Sequence, residues 1–188
     1  QSLSCAENSA TNSIYCLSGS NNFGLVNEVY KYIPGQGLSF SSPGLEKFGA
    51  SCAENSLTHK IYCFGGNRYG VMNTEIIEFD PSTNQLAAKS AQIPSGRYMF
   101  SCAENPLTHK IYCFGGTDLT QNFDQIFEYD SVLDSVSAKN SVLPSSRIDF
   151  SCAAMPHTNK IFCFGGRGPQ GALTEIVEYD SVSDSISM

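Results

Sequence analysis

The sequence has no tryptophan, only three histidines, and 11 lysines and arginines against 18 aspartates and glutamates. The resulting charge of −7, with basic residues scattered, speaks against nucleic acid or an anionic membrane as a partner, because both are bound through clustered Lys and Arg. No uninterrupted apolar run is long enough to span a bilayer, so no membrane insertion is expected. No segment keeps a 3.6-residue apolar period over three turns without Gly, Pro or turn residues, so no helix is expected. Asn-x-Ser/Thr acceptors are missing, which removes N-glycosylation and leaves O-linked sugars on Ser or Thr beside Pro. Gln1 stands where an initiator Met would be expected, as in a mature product or an excised piece.

Repetition is what the chain has instead. SCAENSLTHKIYCFGG, from Ser51 to Gly66, returns as SCAENPLTHKIYCFGG from Ser101 and as SCAAMPHTNKIFCFGG from Ser151. An eroded copy, SCAENSATNSIYCLSG, starts at Ser4. A period between about 20 and 50 residues marks solenoids, propellers and arrays. The repeats divide the chain at 1–47, 48–97, 98–147 and 148–188.

The second repeat shows the local structure best. Strand A is expected over Ala50 to Glu54, strand B over Lys60 to Phe64, strand C over Thr74 to Phe79 and strand D over Gln85 to Ser90. Asp80-Pro81-Ser82-Thr83-Asn84 reverses the chain between C and D, because Pro presets φ and Asp and Asn side chains bond neighbouring backbone. Strand D is the least apolar and is expected at the wet edge. Four antiparallel strands recurring in this way are one blade of a β-propeller, so the expected fold class is all-β, a propeller of four four-stranded blades or a section of a larger one.

The double glycines (Gly65-Gly66, Gly115-Gly116, Gly165-Gly166), the aromatic-Asp turns (Phe79-Asp80, Tyr129-Asp130, Tyr179-Asp180) and the Pro followed by Arg (Pro94 to Arg97, Pro144 to Arg147) together resemble the Kelch repeat over the whole chain. Where the Kelch pattern has Trp, this chain has Leu86, Val136 and Ile186, and the lost burial calls for compensation elsewhere. The first repeat departs further, with Ser18-Gly19 for the glycine pair and Lys47 for the Arg, as expected of a terminus or seam.

The eight cysteines form four pairs, Cys5/Cys16, Cys52/Cys63, Cys102/Cys113 and Cys152/Cys163, each with a separation of eleven. An A–B hairpin turning near Leu57-Thr58 sets Asn55 opposite Lys60, Ala53 opposite Tyr62, and so Cys52 opposite Cys63. Opposed residues at a non-hydrogen-bonded site have Cα atoms about 4.5 Å apart, within reach of a disulfide. Four bonds within blades are therefore expected, in an oxidising compartment, with secretion the favoured history. A metal site needs four convergent N or S ligands at close spacing, and none is seen, so neither metal nor cofactor is expected.

Catalysis finds no footing either. His59, His109 and His157 fall in the A–B turns, where exposed turn residues are the expectation, and no nucleophile elbow or zinc-protease motif occurs. Glu75, Glu78, Glu175 and Glu178, with Glu28 and Glu128, recur blade after blade, which fits a structural role better than one catalytic pair. Differences between the copies are the better pointer. The B–C loops read NRYGVMN from Asn67, TDLTQNFD from Thr117, RGPQGAL from Arg167 and SNNFGLVN from Ser20. In Kelch proteins the end carrying the B–C and D–A loops commonly binds partners. The resemblance implies a contact face of Phe23, Arg68, Tyr69, Phe123 and Arg167, with Lys47, Arg97 and Arg147 nearer the axis. Two alternatives stay open: drifting surface loops, and an Arg that merely holds the D–A turn. The expectation is a non-enzymatic extracellular module that binds a protein or glycan. Behind it stand a structural subunit that self-associates into an array or filament and, at low weight, a propeller-scaffold enzyme.

Overall fold

A computed structural model describes residues 3–21, 24–42 and 44–188. The fold is all-β: four antiparallel four-stranded sheets, the blades of a β-propeller, and no helix among the described residues. The chain divides into two compact units, Gln1–Tyr98 and Met99–Met188, with two blades in each.

Strands A to D follow one another across every sheet as a meander. In blade 1 they are Ser4–Asn8, Ser13–Ser18, Val29–Ile33 and Gly37–Ser41, and in blade 2 Ser51–Asn55, Lys60–Phe64, Glu75–Asp80 and Gln85–Gln92. Blade 3 has Ser101–Asn105, Lys110–Phe114, Gln125–Asp130 and Ser135–Val142, and blade 4 has Ser151–Ala154, Lys160–Phe164, Ile176–Asp180 and Ser185–Ser187. The boundaries expected from the sequence hold to within two residues.

The hairpin register is the one that the cysteine spacing requires: Ala53 faces Tyr62, Glu54 faces Ile61 and Asn55 faces Lys60. All four disulfides form, with Cα–Cα distances of 3.9 to 4.0 Å. Four such bonds fit an oxidising environment. The A–B turn is built on a buried Asn, whose Oδ1 accepts from the N–H of Leu57 and Thr58 at 3.1 and 3.0 Å in blade 2. His59, His109 and His157 close their turns at φ of 55°, 55° and 62°. His59 and His157 are exposed, as expected, and His109 is half-buried; two of the three also face a carboxylate. His59 Nδ1 lies 3.3 Å from Glu54 Oε1 and His109 Nδ1 lies 3.5 Å from Glu104 Oε1.

Within each unit the first blade turns a leading face toward the second, and the second turns a trailing face back toward the first. In the first unit Ala6, Tyr15, Leu17 and Val29 on the leading face of blade 1 bury Cys52, Ile61, Cys63 and Phe79 on the trailing face of blade 2, with Leu86 packed alongside. In the second unit Ala103, Tyr112, Phe114 and Ile126 on blade 3 bury Cys152, Ile161, Cys163, Val177 and Tyr179 on blade 4, joined by Ile186. The disulfides thus do more than close hairpins. Cys52–Cys63 and Cys152–Cys163 are also apolar filling between blades, in the same clusters as Leu86 and Ile186.

Polar bonds fix the stacking. Ser4 Oγ accepts from the N–H of Cys52 and Ser101 Oγ from that of Cys152, both at 2.8 Å. Asn8 Nδ2 donates to the His59 carbonyl at 2.7 Å, and Asn105 Nδ2 donates to Asn159 Oδ1 and Ser181 Oγ at 3.1 and 2.8 Å. Glu54 accepts from both the N–H and the hydroxyl of Ser9. In blade 3 the residue matching Ser9 is Pro106, which has no N–H, and in blade 4 the residue matching Glu54 is Ala154. Donor and acceptor disappear together.

Candidate interaction site

The B–C connections are short hairpins, which the loop reading missed. Asn67–Arg68 pairs with Val71–Met72, Arg167–Gly168 with Gly171–Ala172, and Ser20–Asn21 with Gly24–Leu25. Tyr69 and Gly70 turn the first of these at φ of 51° and 87°, the left-handed pair that a two-residue hairpin demands. Blade 3 instead uses an Asx turn. Asp118 accepts from Thr120 Oγ1 at 2.7 Å and from the N–H groups of Thr120 and Gln121 at 2.8 and 2.9 Å. The Thr120 hydroxyl, with these backbone donors, holds the carboxyl down at about 2. These segments are braced by their own hydrogen bonds.

The D–A turns lie against the same hairpins. Phe48 pairs with Asn67, and Ile148 with Arg167. Arg68 reaches Glu46 at 2.5 Å, and Arg167 Nε reaches Asp149 Oδ2 at 3.0 Å. Glu46 and Asp149 lie in D–A turns at positive φ, a placement that no sequence pattern announced. Exposed ion pairs of this kind stabilise little, so their main effect is to orient the guanidinium groups.

The expected contact residues separate by burial. Tyr69 is 78% exposed, and Arg68 and Arg167 stand with well-exposed side chains. Val71 on the blade 2 hairpin and Leu119 in the blade 3 turn are each exposed as well, although an unpatterned apolar residue in a loop carried no sequence signal. Phe23 lies outside the described residues. Phe123, Lys47, Arg97 and Arg147 are corrected: all four are buried, so they are not offered to a partner.

Their burial has a physical reason in the glycine pair. The Gly66 N–H donates to the Arg97 carbonyl and the Gly116 N–H to the Arg147 carbonyl, both at 2.9 Å. A Cβ on Gly115 would come within 2.7 Å of the Arg147 carbonyl oxygen, so the turn can settle there only against glycine. In the second unit the cationic side chain then runs inward to blade 4. Arg147 donates to the Gly165 carbonyl at 3.2 Å and to Glu175 at 2.7 Å, and its Nε faces its own turn at the Ser145 carbonyl. Arg97 donates to Ser95 Oγ at 2.7 Å. The Arg is therefore an anchor of the D–A turn, the alternative that the sequence left open.

Lys47 occupies the same place less well. Its Nζ lies 3.6 Å from Glu75, an ion pair without a hydrogen bond, and it has no hydrogen-bond partner although it is buried. Burial pushes its pKa below the ordinary lysine value, and the Glu75 carboxylate only partly offsets this. Between the folded and unfolded pKa values the unfolded chain holds more protons, so this residue makes stability rise with pH there. Lys47→Arg is expected to add the bonds that Arg147 makes, to raise Tm by roughly 2–4 °C for about 1 kcal/mol gained, and to flatten that alkaline rise. Thermal melts of both proteins from neutral pH upward check it.

The recurring strand C carboxylates are held by lysines. Glu128 accepts from Lys110 at 2.7 Å and Lys139 at 3.1 Å, Glu78 from Lys60 and Lys89, and Glu178 from Lys160. Burial pushes Glu78 and Glu128 up, but the lysine hydrogen bonds outweigh it and hold both below the ordinary glutamate value. Blade 1 has Lys31 at the place of Glu78 and Ser13 at the place of Lys60, so the pair is lost as a pair. Lys31 lies over the Tyr15 ring instead, 5.4 Å from its centroid. In comparisons with known proteins, no family model matches the chain and no curated sequence matches it.

Proposed function

We propose that the chain is a secreted, Kelch-like, non-enzymatic interaction module. Its B–C hairpins and D–A turns contact a protein or glycan partner outside the cell. The observation that carries this reading is Tyr69, 78% exposed at the tip of a braced hairpin beside Arg68, itself oriented by Glu46. Tyr and Arg are the side chains most often found as interface anchors, and a rigid hairpin loses little entropy when it binds. The lysine-paired glutamates support a structural role for the recurring carboxylates. The four disulfides support the extracellular placement.

The test is binding of the intact protein to a glycan array and to proteins secreted by its source cells, beside an Arg68→Ala/Tyr69→Ser double variant. Ligands held by the native protein and weakened at least tenfold in the variant support the site. Ligands held equally by both place the contact elsewhere on the chain. A hydrolytic or transfer activity that survives in homogeneous protein would replace the binding reading with an enzymatic one.

A further inference from the structure

The blades at the two ends of the chain each leave one face uncovered. On the leading face of blade 3, Phe114 and Ile126 are 0% and 1% exposed, covered by blade 4. The matching residues on the leading face of blade 4, Phe164 and Ile176, are 47% and 50% exposed. On the trailing face of blade 4, Ile161 and Tyr179 are both 0% exposed. Their matches on the trailing face of blade 1, Ile14 and Tyr32, are each 44% exposed, beside the Cys5–Cys16 bond.

These surfaces are the two halves of a contact that the chain already makes twice, once in each unit. The trailing face of blade 1 keeps the cystine, the isoleucine and the tyrosine that blade 4 presents to blade 3. The leading face of blade 4 keeps the aromatic residues (Phe162, Phe164) and the isoleucine (Ile176) that blade 3 presents to blade 4. Contiguous exposed apolar faces mark interaction sites.

We propose that the leading face of blade 4 docks onto the trailing face of blade 1 of a second copy of this chain, head to tail. The contact is heterologous: each copy gives one face and receives the other, so copies either close into a ring or extend as a filament. Two polar pairs do not match. Blade 4 has Met155 where Asn8 and Asn105 donate across their junctions, and Glu7, unlike Glu54 with its donors on Ser9, would meet Pro156, which has no N–H. That carboxylate stays hydrated at the rim and makes the association reversible. The surface is distinct from the B–C hairpins, so its failure would leave the loop reading intact.

Sedimentation velocity of the native protein over about 1–100 µM, the range in which a reversible contact of moderate strength fills, tests it. The expected result is growth from one chain to two or more. Phe164→Arg and Ile14→Arg, both at exposed positions, are each expected to sediment as monomers with all four disulfides intact by peptide map. An equimolar mixture of the two variants is expected to recover a dimer, since one retains its blade 1 face and the other its blade 4 face. A native protein that stays monomeric throughout overturns the proposal, as does a mixture that fails to recover. A photocrosslinker at position 164, in a mixture of isotopically heavy and light chains, gives a second measure. Heavy–light adducts at the blade 1 face support docking between copies, and adducts confined to one chain overturn it.

Discussion

Arg147→Met is expected to destabilise the protein by about 3–5 kcal/mol, the range for removing one partner of a buried charged network. At roughly 2–4 °C per kcal/mol, this lowers Tm by about 6–20 °C. The arginine is fully buried, and its loss leaves the Gly165 carbonyl and Glu175 without their donor at the junction of blades 3 and 4. Methionine restores part of the volume and none of the bonds. Arg147→Lys is expected to recover only a fraction, because one ammonium cannot face the turn, the glycine carbonyl and the glutamate together; Lys47 in its native place shows the result, a buried cation with no hydrogen bond. Glu175→Gln is expected to cost less than either, since that side chain is partly exposed and water can replace the lost charge pairing. Urea titrations of the three variants check the order. A loss below about 1 kcal/mol for Arg147→Met would show that the buried guanidinium is dispensable.

Complete reduction is expected to unfold the chain. Each bond closes a loop of separation 11, which the chain-entropy account values at up to ~3 kcal/mol, and four together approach the whole stability of a typical domain. Cys52–Cys63 and Cys152–Cys163 also fill the clusters between blades, so reduction would leave both an unconstrained denatured chain and poorer packing. Reduction should also be ordered. Cys63, Cys113 and Cys163 are fully buried, whereas Cys5 is exposed on the open face of blade 1. Under native conditions, at dilutions where the chain is monomeric, mild reductant is expected to open Cys5–Cys16 first, because exchange needs access for the attacking thiolate. Time-resolved alkylation and peptide mapping read the sequence of events. Simultaneous opening of all four bonds would show that reduction proceeds through global unfolding instead.

Much of the blade was legible because its determinants are local. Alternating apolar residues between turn formers place the strands, and a two-strand hairpin with cysteines eleven apart and a four-residue turn admits one register. The Asp80 to Asn84 turn follows from the conformations that Pro, Asp and Asn favour. In each case the residues that decide the structure lie within about a dozen positions of one another.

The candidate site was legible only in part. Tyr69 and Arg68 stood out as variable loop residues of interface type, and the fold keeps them exposed. Lys47, Arg97 and Arg147 come from the same turns and look equally suited to a ligand in sequence. For Arg147 that fate is set by a glycine carbonyl and a glutamate in the following blade, and no local pattern says whether a cation points outward or inward. Glu46 and Asp149 likewise gain their partners from hairpins about twenty residues onward.

The sequence by itself determined the repeat, the all-β blade, the strand registers and the four cystines, because these depend on side-chain periodicity and short-range geometry. Only the tertiary structure decided which face of each blade is covered, because burial is a property of what stacks against a strand and not of the strand. Phe114 and Phe164 have nearly the same neighbours in sequence, KIYCFGG and KIFCFGG, yet Phe114 is buried against blade 4 while Phe164 is exposed.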